Sequence, residues 1–170
     1  MMTTLPHAVI VFLITTTCVI FDQATKFIAK AYLGPGALIS FAGDTFRLQY
    51  AENSGAFLSL GASLPDPWRN LVFTVLVGIF LFGLLGYVLF SRSLPAVAVN
   101  CLSCVFAGGI SNLIDRIAYD GRVIDFLNVG IGPLRTGIFN VADMAITFGA
   151  LILAIDTYRQ KDPSETVVRN

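Results

Sequence analysis

The sequence is poor in charge. Only 13% of its 170 residues are Asp, Glu, Lys or Arg, while 55% are hydrophobic. A soluble domain ordinarily carries about 25% charged residues to cover its surface. The 11 cationic and 11 anionic side chains cancel, so the basic footprint that nucleic-acid binding needs is missing, and no nucleic-acid partner is expected. Histidine is nearly absent. The single one, His7, stands near the N-terminus, which leaves no Ser-His or Cys-His nucleophile system and no H-E-x-x-H zinc site for the interior. No G-x-x-x-x-G-K-[ST] phosphate loop occurs. Cysteine is limited to Cys18, Cys101 and Cys104, all inside apolar runs. One C-x-x-C without a second pair is a weak redox or metal signal. These cysteines are better explained as small residues that let membrane helices approach. No disulfide, metal or other cofactor is expected.

What is present is long apolar runs, with a mean hydropathy of +0.76. Four of them, at 6–25, 71–90, 94–114 and 137–156, match the ~20 residues that cross a ~30 Å hydrocarbon core. The first lacks the Lys/Arg-rich start and small-residue cleavage site of a secretory signal, so it is expected to remain as a span. Residues 158–170 are polar and expected to be a disordered tail. Between the first two spans, Gly34-Pro35-Gly36 breaks the helix. Residues 37–41 and 45–50 are expected as short strands about the turn Ala42-Gly43-Asp44. Phe46, Leu48 and Tyr50 alternate with polar neighbours, the period of a half-buried strand. Asp120-Gly121 marks a turn before another candidate strand at 122–129. Trp68 and Arg69 suit an interfacial anchor ahead of the second span. The expected fold is an all-α membrane protein of one domain, with four transmembrane helices and a small extramembrane β-structure on one face. Four spans put both long connections on the same side, so the chemistry belongs to one face of the membrane.

Ionisable groups at membrane depth are costly, and each is a functional candidate. Asp22 and Lys26 are four apart, acid first, and can pair on one helix face near the end of the first span; an ion pair easing the helix out of lipid is the simpler role. Asn112, Asp115 and Arg116 share a face at the end of the third span, where Arg116 could hold carboxylates by paired hydrogen bonds. Asn140 and Asp143 repeat the three-residue spacing, with Asp143 about six residues, ~9 Å, inside the fourth span. Asp125 lies within Val123-Ile124-Asp125-Phe126-Leu127, an odd setting for a solvated acid. Two carboxylates in apolar settings on adjoining elements suggest a dyad that shares one proton, one member acting as base toward water and the other as acid toward a carbonyl oxygen. A proton relay through Asp22, Asp115, Asp125 and Asp143 in a membrane carrier is the alternative, although no internal repeat supports it.

Asn53-Ser54-Gly55-Ala56-Phe57, Gly108-Gly109-Ile110-Ser111-Asn112-Leu113-Ile114-Asp115-Arg116, Val123-Ile124-Asp125-Phe126 and Phe139-Asn140-Val141-Ala142-Asp143 follow one another in this order. Together with Asp22 and Lys26, the chain resembles the lipoprotein signal peptidases (signal peptidase II) over nearly its whole length. Ser111 departs from that pattern, which usually has glycine there, and so bears on local helix packing. The resemblance implies a bacterial inner-membrane aspartyl endopeptidase, multi-pass, with a periplasmic active site and both termini cytoplasmic. It would cut a prolipoprotein just before the diacylglyceryl-modified cysteine of the lipobox. By motif, Asp125 and Asp143 would be the catalytic pair, and Asn53, Gly55, Asn112, Asp115, Arg116, Asn140, Asp22 and Lys26 would support the site. The strands would form a cradle at the membrane surface, and globomycin-type cyclic peptides would inhibit. One count opposes the implied orientation. Seven cations (Lys26, Lys30, Arg47, Arg69, Arg116, Arg122, Arg135) would face the periplasm and four (Arg92, Arg159, Lys161, Arg169) the cytoplasm, the reverse of the positive-inside rule.

Overall fold

A computed structural model describes residues 6–34, 36–55 and 63–161. Ala56 and Phe57 of the first motif, and the tail beyond Lys161, lie outside the described residues. In chain order the elements are α1 (His7–Tyr32), β1 (Ile39–Phe41), β2 (Phe46–Asn53), α2 (Asp66–Asn70), a π-helical segment (Leu71–Leu76), α3 (Val77–Phe90), α4 (Ala96–Ala118), β3 (Val123–Ile131), β4 (Leu134–Arg135) and α5 (Val141–Lys161).

Four helical stretches are long and apolar enough to cross a membrane: His7–Tyr32, Pro67–Phe90, Ala96–Ala118 and Val141–Gln160. Three of them turn large apolar side chains outward, among them Phe12, Phe27, Phe82, Phe90 and Ile152. An apolar exterior is stable only against lipid. α4 differs, because it carries the polar Ser103, Ser111, Asn112 and Asp115, all of them buried. It forms the centre of the bundle and packs on α1, α3 and α5. Glycine permits its closest approach. A Cβ on Gly108 would stand 2.3 Å from the Ala142 carbonyl oxygen, and one on Gly149 would stand 2.7 Å from that of Cys101. The α4–α5 contact is therefore backbone against backbone, as small-residue membrane interfaces are.

The strands form one antiparallel sheet in the order β1-β2-β3-β4. The β1–β2 turn falls at Ala42-Gly43-Asp44, all three at positive φ. The sheet sits at the end of the bundle where α1 and α4 finish and α5 begins. Phe126 of β3 is buried there against Ala29 of α1 and Leu33 immediately after it. β2 runs to Asn53, three residues past the end expected from alternation. A register shift between Leu48 and Ala51 lets it continue alongside Val123–Asp125.

Three helix limits differ from the hydropathy reading. α1 extends to Tyr32, because its last turns pack under the sheet rather than leaving it. α5 starts at Val141, not near 137, and continues to Lys161 through residues expected in the polar tail.

Candidate active site

The late start of α5 decides where Asp143 stands. Leu127 and Phe139 exchange backbone hydrogen bonds, both at 2.8 Å, so the chain before Asn140 runs along β3 as a strand would. The helix begins only after this pairing ends. Asp143 is then the third residue of α5, not six residues deep. Asn140 caps the helix: its Oδ1 accepts the Asp143 N–H at 2.8 Å, and Asp143 Oδ2 accepts the Asn140 N–H at 3.2 Å. This reciprocal box satisfies two amides that have no partner within the helix.

Asp125 approaches from the other side, on β3. Residues Val123 to Phe126 are all buried, because this end of the strand lies between β2 and the bundle. Asp125 is only 1% exposed. Its Oδ2 accepts a hydrogen bond from Asn53 Nδ2 at 3.0 Å and its Oδ1 one from Asn140 Nδ2 at 2.6 Å. Asn140 thus donates to both carboxyls, through its side-chain amide to Asp125 and through its backbone N–H to Asp143. Asp143 Oδ1 accepts from Asn112 Nδ2 at 2.9 Å. Burial pushes the Asp125 carboxyl up to about 7, the charge of Asp143 adds to the rise, and the amides of Asn53 and Asn140 oppose it. A carboxyl near neutrality beside a second carboxylate can exchange a proton under physiological conditions.

Both aspartates line one cavity of about 230 Å³, together with the polar Asn53, Asn112 and Arg116 and the apolar Val77 and Ile146. A second, almost wholly apolar cavity of about 240 Å³ adjoins it and shares Ile138, Asp143 and Thr147. The two cavities thus meet at Asp143, in the first turn of α5.

The remaining expected residues take definite places, some of them new. Arg116 does not hold a carboxylate by a paired fork. Its Nη2 donates to the Gly55 carbonyl at 2.9 Å and its Nη1 to the Asn112 carbonyl at 3.3 Å, with Phe73 of the π segment 5.9 Å from the guanidinium. Gly55 is held in turn through its N–H, which donates to Asn53 Oδ1 at 2.9 Å. Asp22 and Lys26 are not a pair at the lipid exit. Lys26 is 1% exposed and lies between two carboxylates, 2.7 Å from Asp22 Oδ2 and 2.8 Å from Asp115 Oδ2. It also donates to Asn112 Oδ1 at 2.9 Å. Asp115 accordingly points away from the cavity that Asn112 and Arg116 line. Ser111, noted only as a departure in packing, is fully buried and donates to Asp22 Oδ2 at 2.7 Å. Gln23 escaped notice altogether. It donates to Asp115 Oδ1 at 2.8 Å. The available signal was a polar amide directly after Asp22 inside an apolar run.

The model of the signal peptidase (SPase) II family matches residues 14–159. The chain belongs to this family. It is 37% identical over 157 residues to a lipoprotein signal peptidase of Syntrophus aciditrophicus, covering 91% of this chain and 97% of the relative. It is also 37% identical over 154 residues to one of Chlorobium phaeobacteroides, covering 85% and 92%. A solved bacterial membrane enzyme, determined by the in meso method at 2.3 Å resolution, superposes with a TM-score of 0.77 at 26% identity, covering 90% of this chain and 92% of that one. The four-span bundle with its extramembrane sheet is thus the scaffold of a signal peptidase II, an aspartic membrane peptidase.

Proposed function

We propose that Asp125 and Asp143 are the catalytic pair, and that they hydrolyse the peptide bond just before the lipid-modified cysteine of a prolipoprotein. The observation that carries this reading is their convergence, from β3 and from the first turn of α5, on one cavity lined by both polar and apolar side chains. One carboxylate takes a proton from water as its oxygen attacks the scissile carbonyl carbon. The protonated partner gives its proton to the carbonyl oxygen. The tetrahedral intermediate then collapses, the C–N bond breaks and the leaving amine takes up a proton. The products are a signal peptide ending in a new carboxylate and a lipoprotein beginning with cysteine. Asn53, Asn112 and Asn140 hold the two carboxyls, and Arg116 with Gly55 shapes the wall beside them.

The fold suits such a substrate. A signal peptide is an apolar helix, and its diacylglyceryl chains remain in lipid, so the bond to be cut is presented near the membrane surface. β3 lines the cavity at that end of the bundle through Val123 and Asp125. Both termini are assigned to the cytoplasm and the sheet to the periplasmic surface of the inner membrane. Globomycin-type cyclic peptides are expected to occupy the cavity. A carrier relay would need acids strung through the depth of the bilayer, whereas Asp22, Asp115, Asp125 and Asp143 gather at one end of the bundle. The test is incubation of the purified protein with a diacylglyceryl-modified prolipoprotein and with its unlipidated form. Cleavage of the first and not the second, blocked by globomycin, is the expected result. Absence of cleavage of the lipidated form would refute the proposal.

A further inference from the structure

The buried ion triad of Asp22, Lys26 and Asp115 contacts the backbone at two telling places. Asp22 Oδ1 accepts the N–H of Ala142 at 2.8 Å, and Asp115 Oδ2 accepts the N–H of Ile124 at 3.1 Å. Ala142 immediately precedes Asp143, and Ile124 immediately precedes Asp125. Each triad carboxylate therefore holds the chain one residue before one of the two cavity aspartates, and Lys26 ties the carboxylates to each other.

Two neutral side chains close the rest of the circuit. Gln23 Nε2 donates to Asp115 Oδ1 at 2.8 Å and to Ser111 Oγ at 3.1 Å, and Ser111 Oγ donates to Asp22 Oδ2 at 2.7 Å. The path Asp22–Lys26–Asp115–Gln23–Ser111 returns to Asp22, a closed ring spanning α1 and α4. Without Gln23, Asp115 Oδ1 loses its side-chain donor. Without Ser111, Asp22 is held by Lys26 and Ala142 only, and the amide of Gln23 loses one acceptor. A buried carboxylate missing a donor shifts toward the donors that remain. Here those include the backbone amides of Ala142 and Ile124, so the shift is passed to Asp143 and Asp125.

We propose that Gln23 and Ser111 are positioning residues which, by closing this ring, set the separation of the two aspartates without touching substrate. The inference rests on Asp125 and Asp143 being the catalytic pair. A misplacement of ~1 Å costs up to ~10²-fold in rate, so an incompletely held ring is expected to lower kcat by roughly 10-fold.

The experiment measures kcat and KM for a diacylglyceryl-modified prolipoprotein with Ser111→Ala, Gln23→Leu and the double variant, all in detergent micelles. Each single variant should lower kcat about tenfold with KM unchanged, and the double variant should be little worse than either, because both act on one ring. Should Gln23→Leu fail to accumulate, Gln23→Asn carries that arm: it keeps the amide, shortens its reach and should show the same kcat loss. Wild-type kcat with a lowered melting temperature would make the two residues merely structural and overturn the inference. A raised KM at constant kcat would make them substrate contacts and overturn it too. Asp125→Asn and Asp143→Asn run alongside. If these two still turn over, the catalytic assignment itself fails. If they are dead while the ring variants keep full kcat, only the positioning role fails.

Discussion

Among the described residues, Asn140 makes the most hydrogen bonds within the candidate site. It caps α5, bonds to both aspartates and donates to the Ile124 carbonyl at 3.2 Å. Asn140→Ala removes a helix cap worth about 0.5–2 kcal/mol and a donor to Asp125 in the same step. We expect a lower melting temperature and at least a tenfold loss of cleavage, both measurable on one purified sample. Asp125 gives a pH-dependent prediction. Its carboxyl is raised from 3.8 to about 7 in the folded protein, so the native state binds that proton more tightly than the unfolded chain does. The proton's contribution to stability is fully present below the ordinary carboxylate range and is lost as pH rises through about 7. Asp125→Asn cannot titrate. The melting temperature of this variant, minus that of the wild type, should therefore rise between pH 5 and pH 8. A difference that stays flat over this range would contradict the assigned environment of Asp125.

Among the elements, the α4–α5 contact sets how closely Asn112 can reach Asp143. Gly108 faces the Ala142 carbonyl with no room for a side chain. Gly108→Val should force the helices apart, cost about 1–3 kcal/mol as overpacking does, and lower activity through the lost Asn112–Asp143 bond. Thermal unfolding and cleavage read side by side would check it; an active variant of unchanged stability would show that the close approach is dispensable. The four spans were legible in the sequence because apolar runs of sufficient length have few other uses. The start of α5 was not, because it is set by the pairing of Phe139 with Leu127, a long-range contact that hydropathy does not register. The partners of Arg116 were equally hidden, since backbone carbonyls leave no mark in a sequence. For Asp22 and Lys26 the four-residue spacing announced the pair, but not the second carboxylate from α4 that makes it a buried triad.

For the whole molecule, orientation is the open prediction, since the cation count and the family resemblance point in opposite directions. Several of the seven cations on the sheet side are committed to structure: Lys26 lies in the triad, Arg116 lines the cavity, and Arg47 and Arg135 bond Asp44 and its neighbourhood. Cations engaged in this way are poor reporters for a rule based on loop charge. A reporter fused after Asn170 should be active only as a cytoplasmic fusion; periplasmic activity would reverse the assignment. The central claim is that Asp125 and Asp143 act as one catalytic unit, and it is tested most directly by lipoprotein cleavage in Asp125→Asn, Asp143→Asn and the double variant, compared at equal membrane abundance by gel shift. Asn keeps the shape of Asp but cannot accept the proton from water or pass it on. Each single variant should lose turnover while remaining folded and inserted, and the double variant should be little worse than either. Substantial cleavage by either single variant would contradict the account.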